Sequence, residues 1–482
     1  MKKSQLILLT LAAIGVAMSF QAAYGQGWAN EIPQFPPQAM PMPPQQTTPI
    51  PQYVVSYNPA PNYASDRSLE ELAREIEDLK RELAKKSDKP DPAKGFTTPK
   101  ISGRIFMDSV NIVNQDDDGL AAVGRGKNLF GFPVARLAAT GTAYDFLDYK
   151  FELGLENRED KSKVYFRDVF LGINHVPVFE YVRIGNQYVE DAGSELCTGS
   201  INFTFMDTPA PAGGQFTFRR LGISSRHLFA RNRVRMFFGV FGAQDVSSTH
   251  LSNLDNQGIV LNTRLTHAPM FQKDGRHIFL YGGYYCFTDP QKVTVNSRPI
   301  HWDLGTTLLM DKQPSKNGHK MGFETVYQNG VFCLQTDLFV RHFSDAEGLT
   351  TGDATMYGGF VSGRFFLTQG DYRKYSLENA SWGAVTINRP FLLFQRGSSN
   401  FMQGPGAWEV ASYYGFMNTD SFKNVVAAYG TDHQVGTALN WYWNPQLKWA
   451  LNYVHQMASI TSGGQGYTPN MDIVALSCRF HW

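Results

Sequence analysis

From Lys100 to the final Trp482, apolar and polar residues alternate at every second position, in runs cut by turn residues. A side-chain period of two belongs to β-strands with two unlike faces. In 149–157, Phe151, Leu153 and Leu155 oppose Lys150, Glu152, Gly154 and Glu156. In 334–341, Leu334, Thr336, Leu338 and Val340 oppose Gln335, Asp337, Phe339 and Arg341. In 448–456, Trp449, Leu451 and Tyr453 oppose Lys448, Ala450, Asn452 and Gln456. Strands with one apolar face and one charged face suit a soluble sandwich or a membrane barrel.

Three features separate the two. Charges sit mid-strand opposite the apolar face, as beside a wet lumen. Aromatics crowd strand ends, as in Trp441-Tyr442-Trp443 and Tyr284-Tyr285, the pattern of an interfacial girdle. Lastly, Val474, Leu476, Cys478, Phe480 and Trp482 share one face of a strand that reaches the last residue. Val474, Leu476, Phe480 and Trp482 are therefore candidates for the signal that barrel-assembly machinery reads. The expectation is an all-β, antiparallel transmembrane barrel over 95–482. In hydrocarbon every backbone group must be paired internally, so a spanning sheet must close. Sixteen strands would use about 24 residues each with their connections; fourteen or eighteen would also fit.

Composition removes other classes. Only 18% of residues are charged and 13% are aromatic, yet mean hydropathy is −0.29, which does not describe a bundle of apolar helices. A net charge of +1 excludes a nucleic-acid partner held by bulk positive charge. The four cysteines, Cys197, Cys286, Cys333 and Cys478, form no CxxC pair, so neither a disulfide scaffold nor a zinc site is expected. No cofactor or metal is implied. Asn114-Gln-Asp-Asp-Asp118-Gly119 partly imitates a calcium loop, but Arg125 stands where the closing Glu belongs. An enzyme would need a nucleophile and base at one rim, and Ser224-Ser225 with His227 is the nearest arrangement.

The first 94 residues have another character. Lys2 and Lys3 precede an apolar run from Leu6 to Met18, and Ala23-Tyr24-Gly25 supplies small residues, so 1–25 reads as a secretory signal peptide. An uncleaved anchor would need about 20 apolar residues. Residues 26–64 form a proline-rich, disordered spacer, with ten prolines between 31 and 61. In 65–88, Leu69, Leu72, Ile76, Leu79 and Leu83 are spaced as a heptad seam, and Ser68 with Glu71 makes a capping box. So short a helix is marginal alone; self-association through this seam, or packing on another surface, would stabilise it. Pro90 and Pro92 end it.

Specific segments resemble the phosphate-selective porin O and P family. Ile101-Ser-Gly-Arg104-Ile-Phe-Met-Asp108 is similar to its first strand. Ala135-Arg136-Leu137, Gly141-Thr-Ala-Tyr144, Tyr149-Lys-Phe-Glu152, Val164-Tyr-Phe-Arg167-Asp168, Arg183-Ile-Gly185-Asn-Gln187 and Phe203-Thr-Phe-Met206 follow in family order. Gly406-Ala-Trp408-Glu409, Leu439-Asn-Trp441-Tyr-Trp-Asn-Pro445 and Leu451-Asn-Tyr-Val454 close the series. The resemblance implies a sixteen-stranded, homotrimeric outer-membrane channel in contact with lipid, with inward-folded loops and lumen arginines that attract small anions or polar solutes. Parity places Arg231, Arg233 and Arg235 on one face as an inward stripe, and Arg104, Arg136, Arg219 and Arg220 complete the pore-lining candidates.

Two departures bear on phosphate. Pro133-Val134 stands where the family carries paired arginines, and the segment from Gly95 holds 34 basic against 33 acidic residues. A general non-selective porin, or an outer-membrane protein tethered to the cell wall by a periplasmic N-terminal arm, are the other readings.

Overall fold

The computed structural model describes residues 95–118, 128–158, 161–209, 215–217, 219–243, 258–297, 309–394 and 401–482. All lie in one compact unit, Asp88–Trp482. The segments expected to be a signal peptide, a spacer and a helix carrying Leu69, Leu72, Ile76, Leu79 and Leu83 lie outside the described residues, as does Arg125 of the calcium-like loop.

Sixteen strands form the wall. The first eight are β1 (Lys100–Gln115), β2 (Leu129–Ala143), β3 (Leu147–Arg158), β4 (Lys161–Val176), β5 (Glu180–Tyr188), β6 (Arg219–Phe229), β7 (Val234–Gly242) and β8 (Ile259–Gln272). The rest are β9 (His277–Asp289), β10 (Asn317–Asn329), β11 (Phe332–Ala346), β12 (Gly352–Phe366), β13 (Ala407–Asn418), β14 (Ala428–Asn444), β15 (Leu447–Ser462) and β16 (Asn470–His481). Each pairs antiparallel with the next, and β16 pairs back onto β1 over Arg104↔His481 to Gln115↔Met471. The sheet is closed. Every strand has at least nine residues, as spanning requires.

The alternation works inside out. Phe151, Leu155, Leu171, Met236, Phe238 and Leu451 point outward and are exposed. Glu152, Arg235, Gln335, Asp337, Asn452 and Gln456 point inward and are buried. An apolar exterior around a polar interior is the arrangement a bilayer demands. Outward-facing Val474, Leu476, Cys478 and Phe480 continue this face on β16, and Trp482, just past the strand, stacks on Phe480.

One end carries short turns, such as 144–146 and 445–446, and residue 100 enters the wall there. At that end Trp408 stacks on Trp441 at 4.9 Å, Trp441 meets Trp443 at 5.0 Å, and Phe391 packs on both. These rings form part of an aromatic girdle, where an amphipathic indole is most stable. At the other end Asp116 and Asp118 accept hydrogen bonds from Asn470 and Thr468. The acidic residues of the calcium-like loop thus tie β1 to the turn before β16.

Candidate functional site

Two connections fold into the lumen, one from each end. The first is 189–209, between β5 and β6. It carries Glu190, Asp191, Glu195 and Asp207 and no lysine or arginine, so it needs a cationic wall. Arg235 of β7 grips Glu190 with two nitrogens, at 2.6 and 2.7 Å. Lys320 of β10 lies 3.3 Å from Asp191, and Arg364 of β12 lies 3.9 Å from Glu195. Burial works against the Glu190 carboxylate, but Arg235 and then Arg264 outweigh it and hold its pKa below the usual glutamate value.

The wall also offers carboxylates to the loop backbone. Gly193 N–H donates to Asp337 at 2.7 Å, and Ser194 donates to Glu324 from its N–H at 2.8 Å and its hydroxyl at 2.6 Å. A Cβ at residue 193 would lie 2.8 Å from the Asp337 oxygen, so only glycine permits this approach. Without these bonds the loop amides would be buried and unmet, at about 1–3 kcal/mol each.

The second lies between β12 and β13 at the short-turn end, where residues 372–386 turn inward. Its hairpin pairs Tyr372–Ser376 with Ser381–Thr386 and docks on the first loop. Tyr375 meets the Ser194 hydroxyl at 2.7 Å, the Trp382 N–H donates to Thr198 at 2.9 Å, and Arg373 donates to Thr204 at 2.8 Å. Trp382 is buried under Arg364, whose guanidinium sits 3.7 Å over the ring, and its indole N–H donates to Gln335 at 2.7 Å. Together the two segments bond the wall from β7 round to β16, where Lys448 and Arg479 donate to the carbonyls of Phe203 and Ser200, and Arg104 of β1 reaches the Ser200 hydroxyl at 3.4 Å.

The wall from β1 to β6 carries a connected set of charges. Arg104 of β1 and Arg136 of β2 face each other in register. Glu152 of β3 reaches Arg104 at 3.1 Å, Lys150 at 2.9 Å and Arg136 at 3.7 Å. Lys150 also bonds Asp168 of β4, which takes Arg219 of β6 at 2.5 Å. Four cations thus meet two carboxylates. The Arg219 guanidinium lies 3.9 Å over Tyr188 of β5. A cavity of about 160 Å³ opens beside Arg104, Arg136 and Glu152, with Ile201, His481 and Trp482 also lining it.

The arginines proposed from sequence therefore separate. Arg104, Arg136 and Arg219 come together on one wall, and Arg220 lies beside them, donating to the Arg219 carbonyl at 2.8 Å. The stripe Arg231, Arg233, Arg235 does not form. Arg231 and Arg233 sit in the turn 230–233, where Ala230, Arg231 and Asn232 take positive φ, and only Arg235 enters β7. Parity counting fails there because it carries the strand through a turn. Arg235 itself is committed to Glu190. Ser224 and His227 also part: Ser224 points inward and bonds Gln187 at 2.6 Å, whereas His227, three residues on, lies on the other face beside Phe229. They form no nucleophile–base pair.

Sequence reading missed Lys150, Glu152 and Asp168 as site residues, and Arg264, Arg364 and Arg373. Inward parity on β3 marks the first two and on β8 marks Arg264. Nothing local marks Arg373, since its place inside the lumen follows from how a long connection folds.

Residues 109–463 match the family described as Phosphate-selective porin O and P. Among solved structures, a loop L8 deletion mutant of OmpT, an outer membrane protein of Vibrio cholerae, is similar at 11% identity and TM-score 0.49, covering 80% of this chain and 100% of that one. The outer membrane channel DcaP of Acinetobacter baumannii aligns at 11% identity and TM-score 0.46, over 81% and 98%. An anion-selective porin from Comamonas acidovorans aligns at 14% identity and TM-score 0.44, over 80% and 99%. No curated protein matches the chain.

Proposed function

The chain belongs to the phosphate-selective porin O and P family, and from that membership we propose a narrow outer-membrane diffusion channel for small anionic or polar solutes with a modest anion preference. The observation that carries the preference is which charges the β1–β6 wall presents. The Lys150 and Arg104 side chains are 23% and 19% exposed, whereas Glu152 is fully covered. A solute meets the cations first. In a water-filled passage walled by low dielectric, fixed charges of one sign raise the local concentration of the opposite ion. Arg235, Arg264 and Arg364 hold the carboxylates of the inward loop and the wall, so they are spent on architecture. With Pro133-Val134 in place of paired arginines, this supports a general preference for anions over a tight phosphate cradle.

Entry of the chain at the short-turn end, the periplasmic end in bacterial barrels, supports a periplasmic N-terminal arm. Its heptad seam would join three copies. Reversal potential in a planar bilayer under a KCl gradient tests the channel reading. Chloride preference with weak phosphate competition is expected. Potassium preference, or no current from folded protein, would overturn it.

A further inference from the structure

Glu152 is buried where a channel that favours anions gains nothing from a negative charge, and its neighbours explain why it is there. Arg104 and Arg136 stand directly opposite on adjacent strands with both side chains turned inward. Like charges so placed destabilise a strand pair. Glu152 lies against both, and its third cation contact, Lys150, leads to Asp168 and on to Arg219. The resulting order across the wall is basic, acidic, basic, acidic, basic, with two basic groups at the Arg104 end. The two carboxylates cancel half of the four positive charges. Their burial differs from that of the cations in a way that decides the sign of the effect. Glu152 is fully covered while Arg104 and Lys150 reach the lumen, so the carboxylate acts on passing ions only by reducing the field of the cations in front of it.

We propose that Glu152, supported by Asp168, is the residue that sets how strongly this channel prefers anions: it positions the opposed arginines and at the same time subtracts from their charge. The inference rests on the anion-channel reading, but it concerns a change between variants, so the two are tested separately. The Oε1 of Glu152 accepts no hydrogen bond, its nearest cation being Arg136 at 3.7 Å, so an amide nitrogen in its place breaks no bond to a donor. Glu152→Gln therefore keeps the shape and the acceptor for Arg104 while removing one negative charge. Asp168→Asn also removes one negative charge, one step along the wall, but both Asp168 oxygens accept bonds, from Lys150 and Arg219, so its amide gives up one of them.

The experiment is reversal potential in asymmetric KCl for the full-length chain, its Glu152→Gln, Asp168→Asn and Glu152→Asp variants, each first checked for folding by heat-dependent gel mobility. The proposal expects Glu152→Gln to raise the chloride-to-potassium permeability ratio by about twofold or more, Asp168→Asn to shift it in the same direction, and Glu152→Asp to stay at the parent value. Folded Glu152→Gln and Asp168→Asn that leave the ratio unchanged, or move it towards potassium, would overturn it. So would Glu152→Asp behaving like the glutamine variant, since geometry and not charge would then be responsible. A parent channel that prefers potassium refutes the anion reading, while the direction of the variants' shift still judges the role of Glu152.

Discussion

Arg264 offers the sharpest test of how the lumen is held together. It is fully buried in β8, donating to Glu324 at 2.7 and 3.0 Å and to the Ala380 carbonyl at 2.8 Å, with Glu190 at 3.4 Å. It therefore joins wall, loop and hairpin. Arg264→Met keeps most of the stem and removes every donor. The loss leaves Glu324, which is 1% exposed, with only its bonds from Ser194. Removing one partner of a buried pair costs about 3–5 kcal/mol, and the orphaned Ala380 carbonyl adds about 1–3 kcal/mol. The expected destabilisation is about 4 kcal/mol or more. Adding Glu324→Gln removes the stranded charge, so the double variant should recover about 2 kcal/mol relative to the sum of the singles. Equilibrium urea unfolding of the vesicle-reconstituted barrel, followed by tryptophan fluorescence, reads both quantities. A cost below about 1 kcal/mol, the level of an exposed pair, or a strictly additive cycle, would refute the account of a buried junction.

Three further outcomes follow from the same geometry. Trp382→Ala removes the ring between Tyr375 and Arg364 and the bond to Gln335; single-channel conductance should rise as the hairpin loosens, with about 3–5 kcal/mol lost from packing, and an unchanged conductance would contradict the docking. Arg231→Ala and Arg233→Ala should leave ion selectivity untouched, while Arg104→Ala should lower anion preference; equal effects would return the turn arginines to the pore. Because Arg235 holds Glu190 below the usual range, its folded pKa is depressed, so its stabilisation is complete above the unfolded value of about 4.3 and fades only below it; current noise should grow on acidification beneath that point and stay flat from there to neutrality.

The barrel was legible in the chain because the constraint that makes it is local. Period two with unlike faces is a property of neighbouring residues, and a bilayer fixes which face is apolar. Phe151 against Glu152, and Leu451 against Asn452, could be assigned in and out without any coordinates. The aromatic clustering around Trp441 had the same origin, since an interface selects residues by their depth along a strand. What a strand-by-strand reading could not decide was where strands stop, and so Arg231 and Arg233 were drawn into a stripe that a turn dissolves. Partnership was equally hidden. Arg104, Glu152, Asp168 and Arg219 come from four strands, and their ion pairs exist only once closure sets the register. The inward course of 189–209 and of the 372–386 hairpin is a tertiary matter too. An acidic loop beside a basic wall can fold in or stay out, and that balance depends on whether arginines such as Arg235 and Arg264 stand within reach. Sequence alone therefore determined that this chain closes into a membrane barrel with a charged interior. The tertiary structure decided which of those charges neutralise one another and which are left to face a passing ion.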